Sequence, residues 1–367
     1  MIRVLQVYPQ MNNAGTERVI LNLYKNINRN EIQFDFLVEK PGELDEFLLT
    51  SGARVYYVSE KKDRDYYKSL LMFFEHHREY RIIHAHTHER MNLVLKAAKK
   101  SKIPCRIAHS HNARNDLNKF LWFVKGMTSI PLEYNATLFF ACSTNAARWL
   151  FPHKLNCCQI LPNGINLEKY LFDLNKRNDL RRKFQIKENE VVFIHVGRFA
   201  KQKNHEYLVK ILDEYNRRIR KEWKALFVGT GPLEKDIKEM CVAKHINQNV
   251  LFLGNRNDVS ELLNCADCFL FPSLHEGLGI VLIEAQANAL PCIVSRAVPE
   301  EANLKLGLMK RLDLTDSIDK WVNEIAKINM NVEDRVNQIE QIINCEYNIK
   351  KVSNYMTEFY KEAYKNG

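Results

Sequence analysis

The chain has 367 residues, long enough for two domains of ordinary size. Hydrophobic residues make up 46% and charged residues 27%, which fits a globular protein with sizeable cores and excludes a disordered tail, a collagen-like fibre and a coiled-coil rod. A formal charge of +10, from 54 Lys and Arg against 44 Asp and Glu, admits nucleic acid, anionic lipid and phosphorylated substrates as partners.

That charge is uneven. Residues 60–127 hold 15 Lys or Arg against 7 Asp or Glu, and seven of the twelve His. No apolar run approaches the roughly 20 residues of a spanning helix. The first nine residues are too short and polar for a secretion signal, so the expected location is cytoplasmic. Nine scattered Cys read as reduced core thiols, and Cys265 and Cys268 lack the second pair that a zinc finger needs.

In chain order, residues 3–8 read as a strand, 17–25 as a helix, 33–38 as a strand, 44–50 as a short helix and 54–58 as a strand. Strands at 82–85 and 107–109 bracket a helix at 93–100. This is the rhythm of a parallel sheet covered by helices. A polar stretch at about 163–188 reads as the interdomain connection, with Asn163-Gly164 as a hinge or a tight turn. The rhythm then resumes, with strands at 191–196, 224–228, 250–253, 268–272 and 291–294. Helices at 205–216, 233–242, 259–264 and 280–288 separate them. A stripe of Val352, Tyr355, Met356, Phe359, Tyr360 and Tyr364 predicts a terminal helix, packed either back on the first domain or on the second. The expected division is 1–165, 166–347 and a C-terminal helix over 348–367.

Chemistry concentrates in residues 271–287. A strand ends near Phe271, a loop carries Glu276, Gly277, Leu278 and Gly279, and a helix follows. Loop amides and a helix N-terminus suit a phosphate. Glu284 interrupts an otherwise apolar helix, where a carboxylate invites a partner such as the paired hydroxyls of a ribose. Arg198 and Lys203 come just after the strand at 191–196 and Gly197, where a side chain can enter a cleft and meet an anion. Gly15 and Thr16 open a helix soon after the first strand and offer a second phosphate or sugar contact. His109 and His111 share a face by strand alternation, so spacing does not choose between them; His111 is preferred as nearer the loop. His84 reads as packing or capping, and His86 as lining the same cleft. Arg256 is a candidate for the nucleotide base, and Asp258 for a helix cap.

The pair Glu276 and Glu284, flanked by glycines, resembles the paired-glutamate motif of the retaining GT-B glycosyltransferases of family 4, the glycosyl transferases group 1 class. Gly15-Thr16-Glu17-Arg18, Ile83-His84-Ala85-His86 and Cys142-Ser143 resemble further motifs of that family in its order. So do Pro162-Asn163-Gly164-Ile165, Gly197-Arg198 with Lys203, and Gly229-Thr230-Gly231-Pro232. The run Arg106-Ile107-Ala108-His109-Ser110-His111-Asn112 resembles its bacterial capsular and exopolysaccharide members. The family commonly has a second Gly where Thr16 stands and a Gly where Ala289 stands.

The resemblance implies an α/β GT-B fold, with two Rossmann-like domains facing a central cleft. The N-terminal domain would serve the acceptor and the C-terminal domain the donor. It implies a hexosyl- or N-acetylhexosaminyltransferase acting with retention on a nucleotide sugar, a UDP-sugar first and a GDP-sugar second, with no cofactor and no essential metal. His111, Arg198, Lys203 and Glu276 would be catalytic. Gly15, Thr16, Gly197, Gly229, Arg256, Gly277, Leu278, Gly279 and Glu284 would join Arg198, Lys203 and Glu276 around the donor.

The expected acceptor is a lipid-linked sugar or glycan. Lys99, Lys100, Lys102, Arg106, Trp122, Phe123 and Lys125 would meet an anionic membrane surface and make the enzyme peripheral at the inner face of the cell membrane. A nucleotide-sugar epimerase of the same fold is the alternative enzyme, and a nucleotide-binding module the alternative without catalysis. Nucleic acid is not an expected partner, since no aromatic-basic RNA motif or recognition helix is present. Oligomeric state is not legible in the sequence.

Overall fold

The computed structural model describes residues 1–367 except 13–14, 87–89, 112–126, 128, 220 and 329–330. Asn112, Trp122, Phe123 and Lys125 therefore lie outside the described residues. The chain forms two compact units, one of Met1–Ile165 with Glu346–Gly367, the other of Asn166–Cys345.

The first unit is built on β1 (Ile2–Val7), β2 (Ile32–Val38), β3 (Val55–Tyr57), β4 (Ile82–Ala85), β5 (Cys105–Ser110), β6 (Leu138–Ala141) and β7 (Cys158–Ile160). They form one parallel sheet in the order β3-β2-β1-β4-β5-β6-β7. Helices α1 (Gly15–Asn26), α2 (Asp45–Thr50), α3 (Asp63–His76), α4 (Met91–Lys100) and α5 (Thr144–Leu150) lie along the chain between strands. Every residue of β2 is buried, as expected for a parallel strand covered on both faces. β2 and β4 flank β1 on opposite sides, so the winding reverses there. In such sheets a ligand crevice opens at the carboxyl ends of the two strands where the order reverses, here β1 and β4.

The second unit repeats the plan with β8 (Val191–Val196), β9 (Trp223–Val228), β10 (Val250–Gly254), β11 (Cys268–Phe271), β12 (Cys292–Ser295) and β13 (Met309–Leu312). The order is β10-β9-β8-β11-β12-β13, again parallel, and it reverses between β8 and β11. Its helices are α6 (Leu174–Lys183), α7 (His205–Arg218), α8 (Glu234–Ala243), α9 (Val259–Cys265), α10 (Ile280–Ala287), α11 (Ile318–Ala326), α12 (Val332–Asn337) and α13 (Ile339–Ile343).

Helix α6 corrects the expectation of a connection over 163–188. Asp173 caps it, accepting from the amides of Asn175 and Lys176. Its inward face sets two guanidinium groups beside Leu180. Arg177 donates to the carbonyls of Asn264, Cys265 and Ala266 and pairs with Asp267. Arg181 donates to Asp267 and to the Glu190 carbonyl. A helix whose buried face is largely Arg shows little apolar period, so it reads as a polar linker.

Helix α14 (Ile349–Asn366) belongs to the first unit. Val352, Met356 and Tyr360 are buried in one core with Ile20, Tyr24, Phe34 and Phe140. The Tyr360 ring meets Phe34 edge-on at 5.8 Å. Where the chain leaves and re-enters this unit, the Ile165 amide donates to the Tyr347 carbonyl at 2.9 Å and the Ile349 amide to the Ile165 carbonyl at 3.0 Å. Gly164 allows this approach, since a Cβ there would lie 2.8 Å from Ile349 Cδ1.

Candidate active site

In the second unit the predicted residues gather at the carboxyl ends of β8 and β11. Past β8 the Gly197 amide donates to the Val228 carbonyl at 2.9 Å, and past β9 the Gly229 amide donates to the Gly254 carbonyl at 2.8 Å. Gly229 has φ +132°, and a Cβ there would stand 2.2 Å from the Gly197 oxygen, so the two loops touch backbone to backbone. A Cβ on Gly197 would press on the Lys203 stem at 3.2 Å. Glycine at 197 lets that stem cross the end of β8.

Lys203 reaches the loop after β11. Its Nζ lies 2.7 Å from Glu276 Oε1 and 4.8 Å above the centre of the Phe271 ring. Both side chains are largely buried, at 17% and 6% exposure. The loop around them is stitched in place. Gln202 Nε2 donates to the His275 carbonyl at 2.9 Å, and Asn204 Nδ2 to the Pro272 carbonyl at 3.0 Å. Leu278 is buried, and Gly279 (φ +82°) turns the chain into α10. Glu284, half-buried on α10, accepts from the Tyr170 hydroxyl at 2.7 Å.

Two predicted residues lie at the edge of this group. Arg198 is exposed at the end of β8. Arg256, after β10, forks onto Asp258 through Nε at 2.8 Å and Nη2. That fork corrects the expected cap, because the Asp258 side chain makes no capping bond to α9. Beneath the site, burial pushes the imidazole of His205 down to about 4 and that of His195 well below its usual range. Both are neutral at pH 7, so Lys203 and Arg198 carry the positive charge there.

The first unit holds the remaining predicted residues. Gly15 opens α1, and a Cβ there would meet nothing within 4 Å. Thr16 is half-buried beside it. His84 and His86 on and after β4 lie beside His109 and His111 on and after β5. All four are buried and hydrogen-bonded, His84 to His109 at 3.1 Å and His86 to His111 at 2.8 Å. Burial pushes His84, His86 and His109 well below the usual imidazole range.

Sequence reasoning missed Tyr170, Gln6, Tyr360 and the His195–His205 pair. Gln6 was accessible in principle, because it pairs in register with His84. Tyr170 and Tyr360 lie 114 and 276 positions from the residues they bond, and no local pattern reports such a pairing. Two basic residues expected at a membrane also bond within the protein, Arg106 part-buried and Lys99 at the surface. Arg106 donates to the carbonyls of Asn135 and Ile103, and Lys99 to that of Tyr134.

Residues 176–359 match the family Glycosyl transferases group 1, and residues 13–169 match Glycosyltransferase Family 4. The chain belongs to the family 4, group 1 glycosyltransferases. EpsF of Bacillus subtilis (strain 168), which carries a glycosyltransferase name, is 33% identical over 89% of this glycosyltransferase and 87% of its own length. UDP-Gal:alpha-D-GlcNAc-diphosphoundecaprenol alpha-1,3-galactosyltransferase of Escherichia coli is 28% identical over 86% of this glycosyltransferase and 84% of its own length. The crystal structure of Anabaena Alr3699/HepE in complex with UDP and glucose superposes with a TM-score of 0.80 at 15% identity, covering 99% of this chain and 100% of that one. That likeness establishes the GT-B fold of this glycosyltransferase.

Proposed function

We propose that this glycosyltransferase moves a hexosyl or N-acetylhexosaminyl group from a nucleotide sugar, a UDP-sugar before a GDP-sugar, to a hydroxyl of a lipid-linked glycan, with retention at the anomeric carbon. One observation carries the donor reading. Gly197, Lys203, Glu276, Gly279 and Glu284 come from separate stretches of chain and converge where the second sheet reverses its order. The E. coli relative named for UDP-Gal and a diphosphoundecaprenol acceptor, and the HepE complexes with UDP, favour the same chemistry.

In this reading Lys203 and Arg198 hold the diphosphate and stabilise the charge that grows on it as the glycosidic bond breaks. Glu284, already oriented by Tyr170, takes the ribose hydroxyls. The diphosphate competes with Glu276 for Lys203. Glu276 is paired and 5% exposed, so it is poorly placed as a covalent nucleophile. Attack of the acceptor on the same face as the departing diphosphate, without a covalent intermediate, fits that environment. His111 orients a sugar hydroxyl. No metal is needed in this reading, so EDTA should leave the rate unchanged.

Among the described residues no helix is long and apolar enough to cross a membrane. Met127, Ile130 and Tyr134 are exposed, and so are Lys100 and Lys102. These apolar and basic groups support peripheral contact with an anionic inner membrane face, which sedimentation with anionic against neutral vesicles would test.

The deciding experiment is a thermal-shift and hydrolysis screen with UDP-, GDP-, ADP- and dTDP-sugars. A shift with one donor, lost in Glu284→Ala while the circular dichroism spectrum is kept, is the expected result. No shift with any donor on folded protein would refute the donor site.

A further inference from the structure

Four buried imidazoles of the first unit form two short rows. In one, the Tyr360 hydroxyl lies 2.7 Å from His84 Nδ1, and His84 Nε2 lies 3.1 Å from His109 Nδ1. In the other, Gln6 Oε1 lies 2.8 Å from His86 Nε2, and His86 Nδ1 lies 2.8 Å from His111 Nε2. The rows stack on each other, His84 on His86 at 4.1 Å and His109 over His111 at 4.0 Å between ring centres. Gln6 closes both, because its Nε2 faces the Tyr360 oxygen at 3.5 Å.

A neutral imidazole has one donor nitrogen and one acceptor nitrogen, so fixing one proton fixes a whole row. Gln6 Oε1 only accepts. His86 must therefore carry its proton on Nε2, which leaves its Nδ1 to accept from His111 Nε2–H. Gln6 Nε2 only donates, so Tyr360 receives at its oxygen and gives its own proton to His84 Nδ1. His84 Nε2–H then donates to His109 Nδ1, and the His109 proton sits on Nε2. All four rings share one tautomer, and a single amide sets it.

We propose that Gln6 and Tyr360 are positioning residues that set His111 as a hydrogen-bond acceptor at Nδ1 and His109 as a donor at Nε2. The functional side of this inference rests on the reading above that His111 meets a sugar hydroxyl. An Nδ1 lone pair accepts the O–H of a sugar; an Nδ1–H would oppose it.

The main competing occupant is a metal ion. His84, His86 and His109 bring possible ligand nitrogens within 4.8 Å of one another. A metal must lie in the plane of each ring it binds. Here the facing nitrogens of a row are spent on each other, and the third ring lies in the stacked row about one ring thickness away. A metal at these three rings would displace the His84–His109 hydrogen bond and one of the two that His86 makes.

The test is a long-range proton–nitrogen correlation spectrum of protein labelled with 15N-histidine, alongside metal analysis. In the unmodified protein at pH 7, Nε2–H on all four rings is expected. Nδ1–H on all four would mean that the Gln6 amide is turned over, and would overturn the proposal. So would an imidazolium at His111, or a stoichiometric metal. Tyr360→Phe should release the His84–His109 row into mixed tautomers and leave the His86–His111 row unchanged. Gln6→Met should release the second row and lower kcat at least tenfold, with KM for the donor within twofold. An unchanged His111 tautomer in Gln6→Met would overturn the proposal. Released tautomers with an unchanged kcat would keep the tautomer assignment and overturn the role given to His111.

Discussion

At Gly229 a single missing side chain decides whether the loops after β8 and β9 can meet. Its φ of +132° and the 2.2 Å that would separate a Cβ from the Gly197 oxygen combine backbone strain with a clash against a neighbouring main chain. Gly229→Ala should cost about 2–4 kcal/mol. Urea unfolding checks this, and a change under about 0.5 kcal/mol would contradict it. Ala289 shows the opposite situation. It has φ +52° and is buried, which is why the family pattern favours Gly there. His205 supplies a pH dependence. Its two ring nitrogens have no hydrogen-bond partner among the described residues, and its ring stacks on Phe199 at 4.2 Å. Burial lowers its folded pKa from 6.5 to about 4, so the unfolded chain binds the proton more readily. Stability is therefore full above pH 6.5 and falls as pH drops towards 4, by about 3 kcal/mol from this residue. His205→Phe should flatten that loss in urea titrations at pH 7 and pH 5. Parallel slopes for the two proteins would refute the assignment.

Among the elements, α6 rests on charge more than on apolar area. Asp267 lies between Arg177 and Arg181, with all three side chains at 10% exposure or less. Asp267→Ala would leave two buried guanidinium groups without their anion and should cost about 3–5 kcal/mol. Limited proteolysis should then cut within residues 174–183, and resistance there would count against the assignment. The same helix marks the limit of sequence reading. β8 and β11 are legible because a short, nearly unbroken apolar run between polar ends favours a buried strand, and α10 because Gly279 precedes an apolar run. Helix α3 is harder to read, since its buried Tyr66, Leu70 and Phe74 recur every four residues but sit among further apolar residues, Tyr67, Leu71, Met72 and Phe73, that blur the period. Lys203 and Glu276 are legible one by one as candidate site residues. Their pairing is not, because 73 positions separate them and only the sheet order brings them together.

At the scale of the whole molecule, α14 ties the two ends of the described chain into one unit. Met356 is fully buried in the core of that unit. Met356→Ala should cost about 2–5 kcal/mol there. Amide exchange would read this as faster exchange in β1, β2 and β4, with β8, β9 and β11 unchanged; faster exchange in both units would contradict the assignment.

The stitched junction at Ile165 and Ile349 has a consequence for synthesis. Domains of a growing chain generally fold in the order in which they are made. In this protein the second unit lies within the sequence of the first, so the ribosome delivers all of residues 166–345 before α14 can reach its place. The unit begun first is completed last. Until then Ile20, Phe34 and Phe140 lack the helix that covers them. A nascent chain stalled before residue 346 should therefore hold a finished second unit and an unfinished first one, the form in which a chaperone would meet it.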